Sequence, residues 1–254
     1  MIAVVDIGNT NTVIGLFKGD SLAADWRLES KKQRTADEYC LFIRSLLDGA
    51  KLQDEQISGA ILSSVVPPLT ATFKSVLKRL LNVIPLVVGP GLKTGMPILY
   101  DNPREVGADR IVNSVAAYEH FKQGTIIVDF GTATTFDVVS PKGEYLGGAI
   151  SPGLFIANEA LFHRASKLPR VELAKPKRIV GKNTVESIQS GVFFGFVSLV
   201  DGMVRKIRSE IDFPSRVIAT GGIASVLVSA TKTIEEVDEH LTLKGLKILF
   251  ERNR

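Results

Sequence analysis

Three carboxylates sit where the chain could perform phosphoryl chemistry, and two of them share a setting. Asp6 ends an apolar strand and opens "DIGNTNT"; Asp129 ends another and opens "DFGTATT". Gly8, Asn9, Thr10, Asn11 and Thr12 supply more hydrogen-bonding groups than a hairpin turn needs. Short side chains after a tight turn let an anion approach converging backbone N–H groups, which is how a phosphate is held. The hydroxyls of Thr10 and Thr12 and the amides of Asn9 and Asn11 would add neutral donors, and Asp6 would hold a magnesium ion through water. An Asx-type turn that satisfies only its own backbone explains one copy. Two copies favour two hairpins gripping one triphosphate, with ATP the expected ligand.

The third acid is Asp109, inside "YDNPREVGADRIVNSVAAYEHF". Pro103 suits a short first turn, Gly107 breaks it, and Asp109 starts a longer helix. The acid could simply cap that helix. The cluster of Tyr100, Asp101, Arg104, Glu105, Asp109 and Arg110 is also what a polar-substrate pocket needs. A phosphoryl acceptor hydroxyl requires a carboxylate within hydrogen-bond reach, and Asp109 is the candidate. Its place at a helix N-terminus predicts a lowered pKa, tolerable because a loose transition state gives up its proton late. Arg110 would bind a substrate carboxylate or steady Asp109. A fourth feature, "RVIATGGIA", runs from a strand through Gly221 and Gly222 into a helix, a turn open to a phosphate or a flat ligand.

The elements that position these groups follow from periodicity. Ile2 to Val5, Val13 to Phe17 and "LAADWRLES" read as an antiparallel meander. Ala36 to Leu47 reads as a helix, "GAILSSVV" as a buried strand, Pro67 and Pro68 as a helix start, and "IPLVVG" as a closing strand. "TIIVDFGTATTFDVVSPKGEYLGGAI" repeats the opening grammar. Asp6 and Asp129 lie 123 residues apart, so a duplicated βββαβα unit is expected, folded as two related α/β domains with a cleft between them. The expected division is 1–118 and 119–254. Thr184 to Ile211 reads as one long helix capped by Asn183 and Glu186, with Gly191 and Gly195 marking close packing against a second subunit or within the chain.

Composition narrows the classes. With 254 residues, 45% of them apolar, and a mean hydropathy of +0.18, a folded α/β protein is expected. No apolar run reaches about 18 residues and no signal-peptide pattern is present, so a cytoplasmic protein with no membrane association is expected. The net charge of +4 comes from dispersed residues without interleaved aromatics, which argues against nucleic acid. Cys40 lies in an apolar helix pattern, and His120, His163 and His240 lack metal-type spacing.

The ordered set "DIGNTNT", "DNPREVGADR", "VDFGTATTFD", "GGAISPGL", "GKNTVESIQSG" and "IATGG", ending in "LTLKGLKILFERN", resembles type III pantothenate kinases of the acetate and sugar kinase, Hsp70 and actin superfamily. The resemblance implies two duplicated actin-like (ribonuclease H-like) domains and ATP-dependent phosphorylation of the 4'-hydroxyl of pantothenate by a cytoplasmic homodimer, the first step toward coenzyme A. It implies that Asp6, Ile7, Gly8, Asn9, Thr10, Asn11, Thr12 and Val13 form the first phosphate loop, that Thr132 belongs to the second, and that Gly221 and Gly222 lie in the adenosine motif. Tyr100, Gly107, Ala108, Asp109 and Arg110 would contact pantothenate, with Asp109 as proton acceptor. Thr184 would line the same pocket, from its own or the partner's subunit. Potassium or ammonium would sit at Asp129. A nucleotide-binding regulatory protein without turnover, or a kinase or phosphatase of the same superfamily acting on another substrate, are the competing readings.

Overall fold

The computed structural model describes residues 1–52 and 56–254. By its contacts the chain forms two units, one of Met1–Met96, Asp101–Ala116 and Leu241–Arg254, the other of Pro97–Tyr100 and Ala117–His240. Each carries one five-stranded sheet.

In the first unit β1 (Ile2–Ile7), β2 (Asn11–Lys18) and β3 (Ser21–Glu29) form the antiparallel meander, and β4 (Gly59–Ser64) and β5 (Leu86–Val87) extend it in parallel on the far side of β1. The order is β3-β2-β1-β4-β5. The closing strand is only two residues long, shorter than the apolar run "IPLVVG" suggests. Helix α1 (Ala36–Gly49) begins at a capping box, in which Thr35 accepts from Glu38 N–H and the Glu38 carboxylate accepts from Thr35 N–H at 2.7 Å. Helix α2 (Pro67–Leu81) starts on its two prolines. Together they cover one face of the sheet, where Tyr39 and Phe73 meet at 4.7 Å between ring centroids over Val5, Ile7, Ile14 and Leu16.

The second unit repeats the plan. β6 (Thr125–Phe130), β7 (Ala133–Val139) and β8 (Tyr145–Pro152) form the meander, with β9 (Arg216–Thr220) and β10 (Glu236–Val237) parallel beside β6, in the order β10-β9-β6-β7-β8. Two helices, α4 (Leu154–Arg164) and α5 (Thr184–Glu210), stand where the first unit has α1, and the short α6 (Ala224–Val228) stands where it has α2. Val192, Phe196, Val200 and Val204 of α5 pack with Ile126, Val128 and Phe136 of the sheet. α5 is long and apolar enough to span a membrane by length and composition, contrary to the expectation that no segment is. Half of its apolar window is buried, as the core helix of a folded unit requires. The intrachain role considered for Gly191 and Gly195 is not what the structure shows: a Cβ at either would meet no atom within 4 Å.

Helices α3 (Ala108–Phe121) and α7 (Leu241–Arg252) follow the last strand of each repeat. A single cut at 118/119 would leave α7 with the second unit, yet its apolar face, Leu243, Leu246, Leu249 and Phe250, packs on β1, β2 and β4 of the first. The contact is close enough to require glycine twice. A Cβ on Gly59 would lie 2.3 Å from the Phe250 ring, and one on Gly245 would lie 2.3 Å from the carbonyl oxygen of Val112 in α3. Replacing Gly245 with Ala should therefore lower unfolding stability by about 1–3 kcal/mol, the usual cost of overpacking, in a urea titration. Unchanged stability would mean that α7 can move off α3 freely.

Candidate active site

Strand register puts the two acids in equivalent places. Asp6 is the penultimate residue of β1, opposite Val13 on β2 and Ser63 on β4; Asp129 is the penultimate residue of β6, opposite Thr135 on β7 and Thr220 on β9. Each acid is only partly buried, at the end of a strand hydrogen-bonded along both edges.

The first turn is closed by Gly8 N–H donating to the Asn11 carbonyl at 3.0 Å, and Thr10 is tied through its carbonyl to Ser30 N–H at 2.9 Å. Asn9 and Thr10 are its exposed side chains. Thr12 is fully buried, and its hydroxyl lies 2.8 Å from that of Ser30, so this side chain holds β2 to the β3 end instead of facing an incoming phosphate. Ile7 is buried as well, which leaves only its backbone for a ligand. Strand alternation carries that signal, since Thr12 is in phase with the buried Ile14 and Leu16. The Ser63 hydroxyl, next to Asp6 in the register, is buried without a hydrogen-bond partner.

The second turn is tighter, with Gly131 N–H donating to Ala133 O at 3.1 Å and both Gly131 and Thr132 exposed. Two other backbone segments converge on it. Gly153 N–H donates to Thr132 O at 3.1 Å, and a Cβ on Gly153 would lie 2.3 Å from that oxygen. Gly221, at φ +96°, comes so near that a Cβ would sit 2.6 Å from Phe130 O and 2.8 Å from Asp129 Oδ1. The Gly221–Gly222 turn is thereby brought against Asp129, a meeting of two sequence-distant motifs within one unit. Carboxylate and carbonyl oxygens are the donors that hard cations take.

Among the described residues no group of three His, Cys, Asp or Glu side chains could cage a metal. Magnesium bound by one carboxylate, water and phosphate oxygens needs no such cage.

Asp109 occupies the first turn of α3, after the 3-10 turn Pro103–Glu105 that Asn102 caps. One carboxylate oxygen accepts from Arg110 N–H at 2.8 Å. A Cβ on Gly107 would lie 2.5 Å from that same oxygen, so glycine there leaves the carboxylate its place. Position at the helix start predicts a lowered pKa; the structure reverses the sign. Burial raises the Asp109 pKa above its ordinary 3.8, outweighing the Arg110 N–H and the Arg110 charge, which both act to lower it. Arg110 itself is 8% exposed. Tyr100, 37% exposed, belongs to the other unit, as does Thr184. Thr184 opens α5 just after Asn183, whose side chain accepts from Glu186 N–H at 2.9 Å. Glu186 completes the cap one residue further back than a capping box would, accepting from Lys182 N–H at 3.0 Å, a bond that with Arg178 holds its carboxyl below the usual range. Asp137 and Tyr145 are both fully buried, with the Tyr145 ring 6.3 Å from that of Tyr100; the sequence signal for them is an acid inside the apolar run "TTFDVV".

A family model described as type III pantothenate kinase matches residues 2–206. The chain belongs to the type III pantothenate kinase family. It is 57% identical over 254 residues to a protein of Geobacter sulfurreducens named type III pantothenate kinase, and 56% identical to one of that name from Anaeromyxobacter sp., with all of both chains covered in each case. Among solved structures, the inorganic polyphosphate/ATP-glucomannokinase of Arthrobacter sp. strain KM shares the fold, at a TM-score of 0.52 and 12% identity over 100% of this chain and 99% of that one. Its likeness, like the repeated sheets, marks the sugar-kinase and actin-like architecture that the family resemblance implies.

The raised pKa of Asp109 has a consequence for stability. The folded chain holds this proton to higher pH than the unfolded chain does, so ionising Asp109 costs folding free energy. Asp109→Asn should melt at a higher temperature than the parent near pH 7, and the gap should close as pH falls through the raised value to below 3.8. A variant less stable than the parent at neutral pH would contradict this.

Proposed function

We propose that this chain transfers the γ-phosphoryl group of ATP to the 4'-hydroxyl of pantothenate, a reading supported by full-length relatives that are named type III pantothenate kinase. The observation that carries the residue assignment is Asp109: a carboxylate at a helix start, kept in place beside a glycine, with a pKa moved upward by burial. That shift makes it a better acceptor for the hydroxyl proton than a helix-start acid would ordinarily be. Asp6, Ile7, Gly8, Asn9, Thr10, Asn11, Thr12 and Val13 form the first phosphate loop, chiefly through backbone N–H groups and the exposed Asn9 and Thr10. Thr132 supplies a second phosphate contact, and Gly221 with Gly222 receives the adenosine side. Tyr100, Gly107, Ala108, Arg110 and Thr184 bind the acceptor, Arg110 being suited to its carboxylate.

Magnesium fits at Asp6, where the orphaned Ser63 hydroxyl lies one strand away, and would neutralise charge on the phosphates. A monovalent cation, potassium or ammonium, fits at Asp129, where the carboxylate and the Phe130 carbonyl flank Gly221. The protein is proposed to act in the cytoplasm as a homodimer. Supporting the dimer, the exposed face of α5 presents Thr184, Ser187, Gly191, Gly195 and Ser198 in one stripe, beside a groove of about 800 Å³.

A coupled assay of ADP release tests the reaction. ADP should appear only with pantothenate and magnesium present, and Asp109→Asn should lower kcat by about 10²–10⁴ while ATP still binds. Release of ADP without pantothenate would point to another acceptor, and full turnover by the folded variant would remove Asp109 from its role. Asp129→Asn should flatten the dependence of the rate on potassium; an unaltered potassium response would place the cation elsewhere.

A further inference from the structure

Asp137 and Tyr145 are both fully buried, on adjacent strands β7 and β8. The Asp137 carboxylate accepts from the Tyr145 hydroxyl at 2.9 Å and from the Thr135 hydroxyl at 3.2 Å. Desolvating a carboxylate is costly, and an apolar pair of similar volume would fill the same space without that cost. What the acid adds is direction: it fixes where the Tyr145 side chain points.

Tyr145 in turn holds the segment that carries Tyr100. Its N–H donates to Pro97 O at 2.9 Å, and its carbonyl accepts from Leu99 N–H at 2.8 Å, so residues 97–99 lie as an added edge along the start of β8. The Tyr100 ring stands 6.3 Å from the Tyr145 ring, tilted by 53°. It also lies over Gly147, at φ +121°, where a Cβ would approach it to 3.5 Å. Tyr100 is thus exposed on one side and seated on a pinned tyrosine and a bare backbone on the other. All of these residues belong to one unit.

We propose that Asp137 and Tyr145 are positioning residues for Tyr100, setting the affinity for the acceptor substrate without touching it. The proposal rests on the reading of Tyr100 as a pantothenate contact. A structural role alone would move stability, kcat and both Michaelis constants together, whereas positioning separates them.

The test uses the full chain in four forms: Tyr145→Phe, Asp137→Asn, Tyr100→Ala, and Tyr145→Phe combined with Tyr100→Ala. Tyr145→Phe should raise KM for pantothenate about tenfold, in keeping with loss of a buried hydrogen bond, and leave kcat and KM for ATP within about twofold. Asp137→Asn, which keeps an acceptor oxygen for the tyrosine, should show a smaller rise and carries the test if Tyr145→Phe fails to fold. Leu99 N–H should exchange with deuterium faster in both, with Ile126 to Val128 as protected as in the parent. On the Tyr100→Ala background Tyr145→Phe should add nothing to KM. Equal rises for ATP and pantothenate, or fully additive effects, would overturn the proposal. If Tyr100→Ala leaves pantothenate KM unaltered, the assignment of Tyr100 as a contact fails, and faster Leu99 exchange in the variants would separate that failure from a failure of the positioning.

Discussion

The candidate residues of each unit depend on register along the central strand of its own sheet. β1 and β6 are hydrogen-bonded to an antiparallel neighbour on one edge and a parallel neighbour on the other, so neither can slip without breaking both ladders. A one-residue slip would turn Asp6 or Asp129 to the opposite face and bring a buried apolar residue to the turn. Because the acid is the penultimate residue and the turn begins two positions later, the ladders fix the carboxylate and the turn's backbone N–H groups together. The duplication then yields two such places from one folding rule.

Electrostatics at Asp109 shows how packing can override a local effect. The helix start and the Arg110 N–H both favour the ionised form, and an isolated α3 would keep this acid ionised well into acid solution. Withdrawal from water acts the other way and prevails. The folded chain therefore carries a carboxylate that is less stable when charged, which is the direction a proton acceptor needs and the direction that costs stability. Asp137 is buried to a different end, since its hydrogen bonds to Tyr145 and Thr135 serve orientation within the sheet.

The sheets were legible because strand grammar and repetition agreed. "DIGN" and "DFGT" marked the strand ends, and the meander lengths followed from alternation. β5 and β10 were harder to bound, since two-residue edge strands are defined by their neighbour and not by their own pattern. The placing of α7 on the first sheet was invisible for a physical reason: an amphipathic stripe tells that a face is buried, not what buries it. Among the candidate residues, Asp6, Asp109 and Asp129 stood out by type and position, and the closeness of Gly221 to Asp129 needed the fold. The pKa of Asp109 could not be read from its place in a helix, because the deciding effect comes from residues distant in sequence. The inward turn of the Thr12 hydroxyl was readable, because alternation puts it in phase with the buried Ile14 and Leu16.

The most direct measurement is a crystal structure of the chain with a non-hydrolysable ATP analogue, magnesium and pantothenate. The account predicts β- and γ-phosphate oxygens within hydrogen-bond distance of backbone N–H groups in the Gly8–Thr10 turn and of Thr132, and the 4'-hydroxyl of pantothenate within such reach of the Asp109 carboxylate. Phosphates bound away from both turns, or an acceptor hydroxyl facing a different side chain, would contradict it.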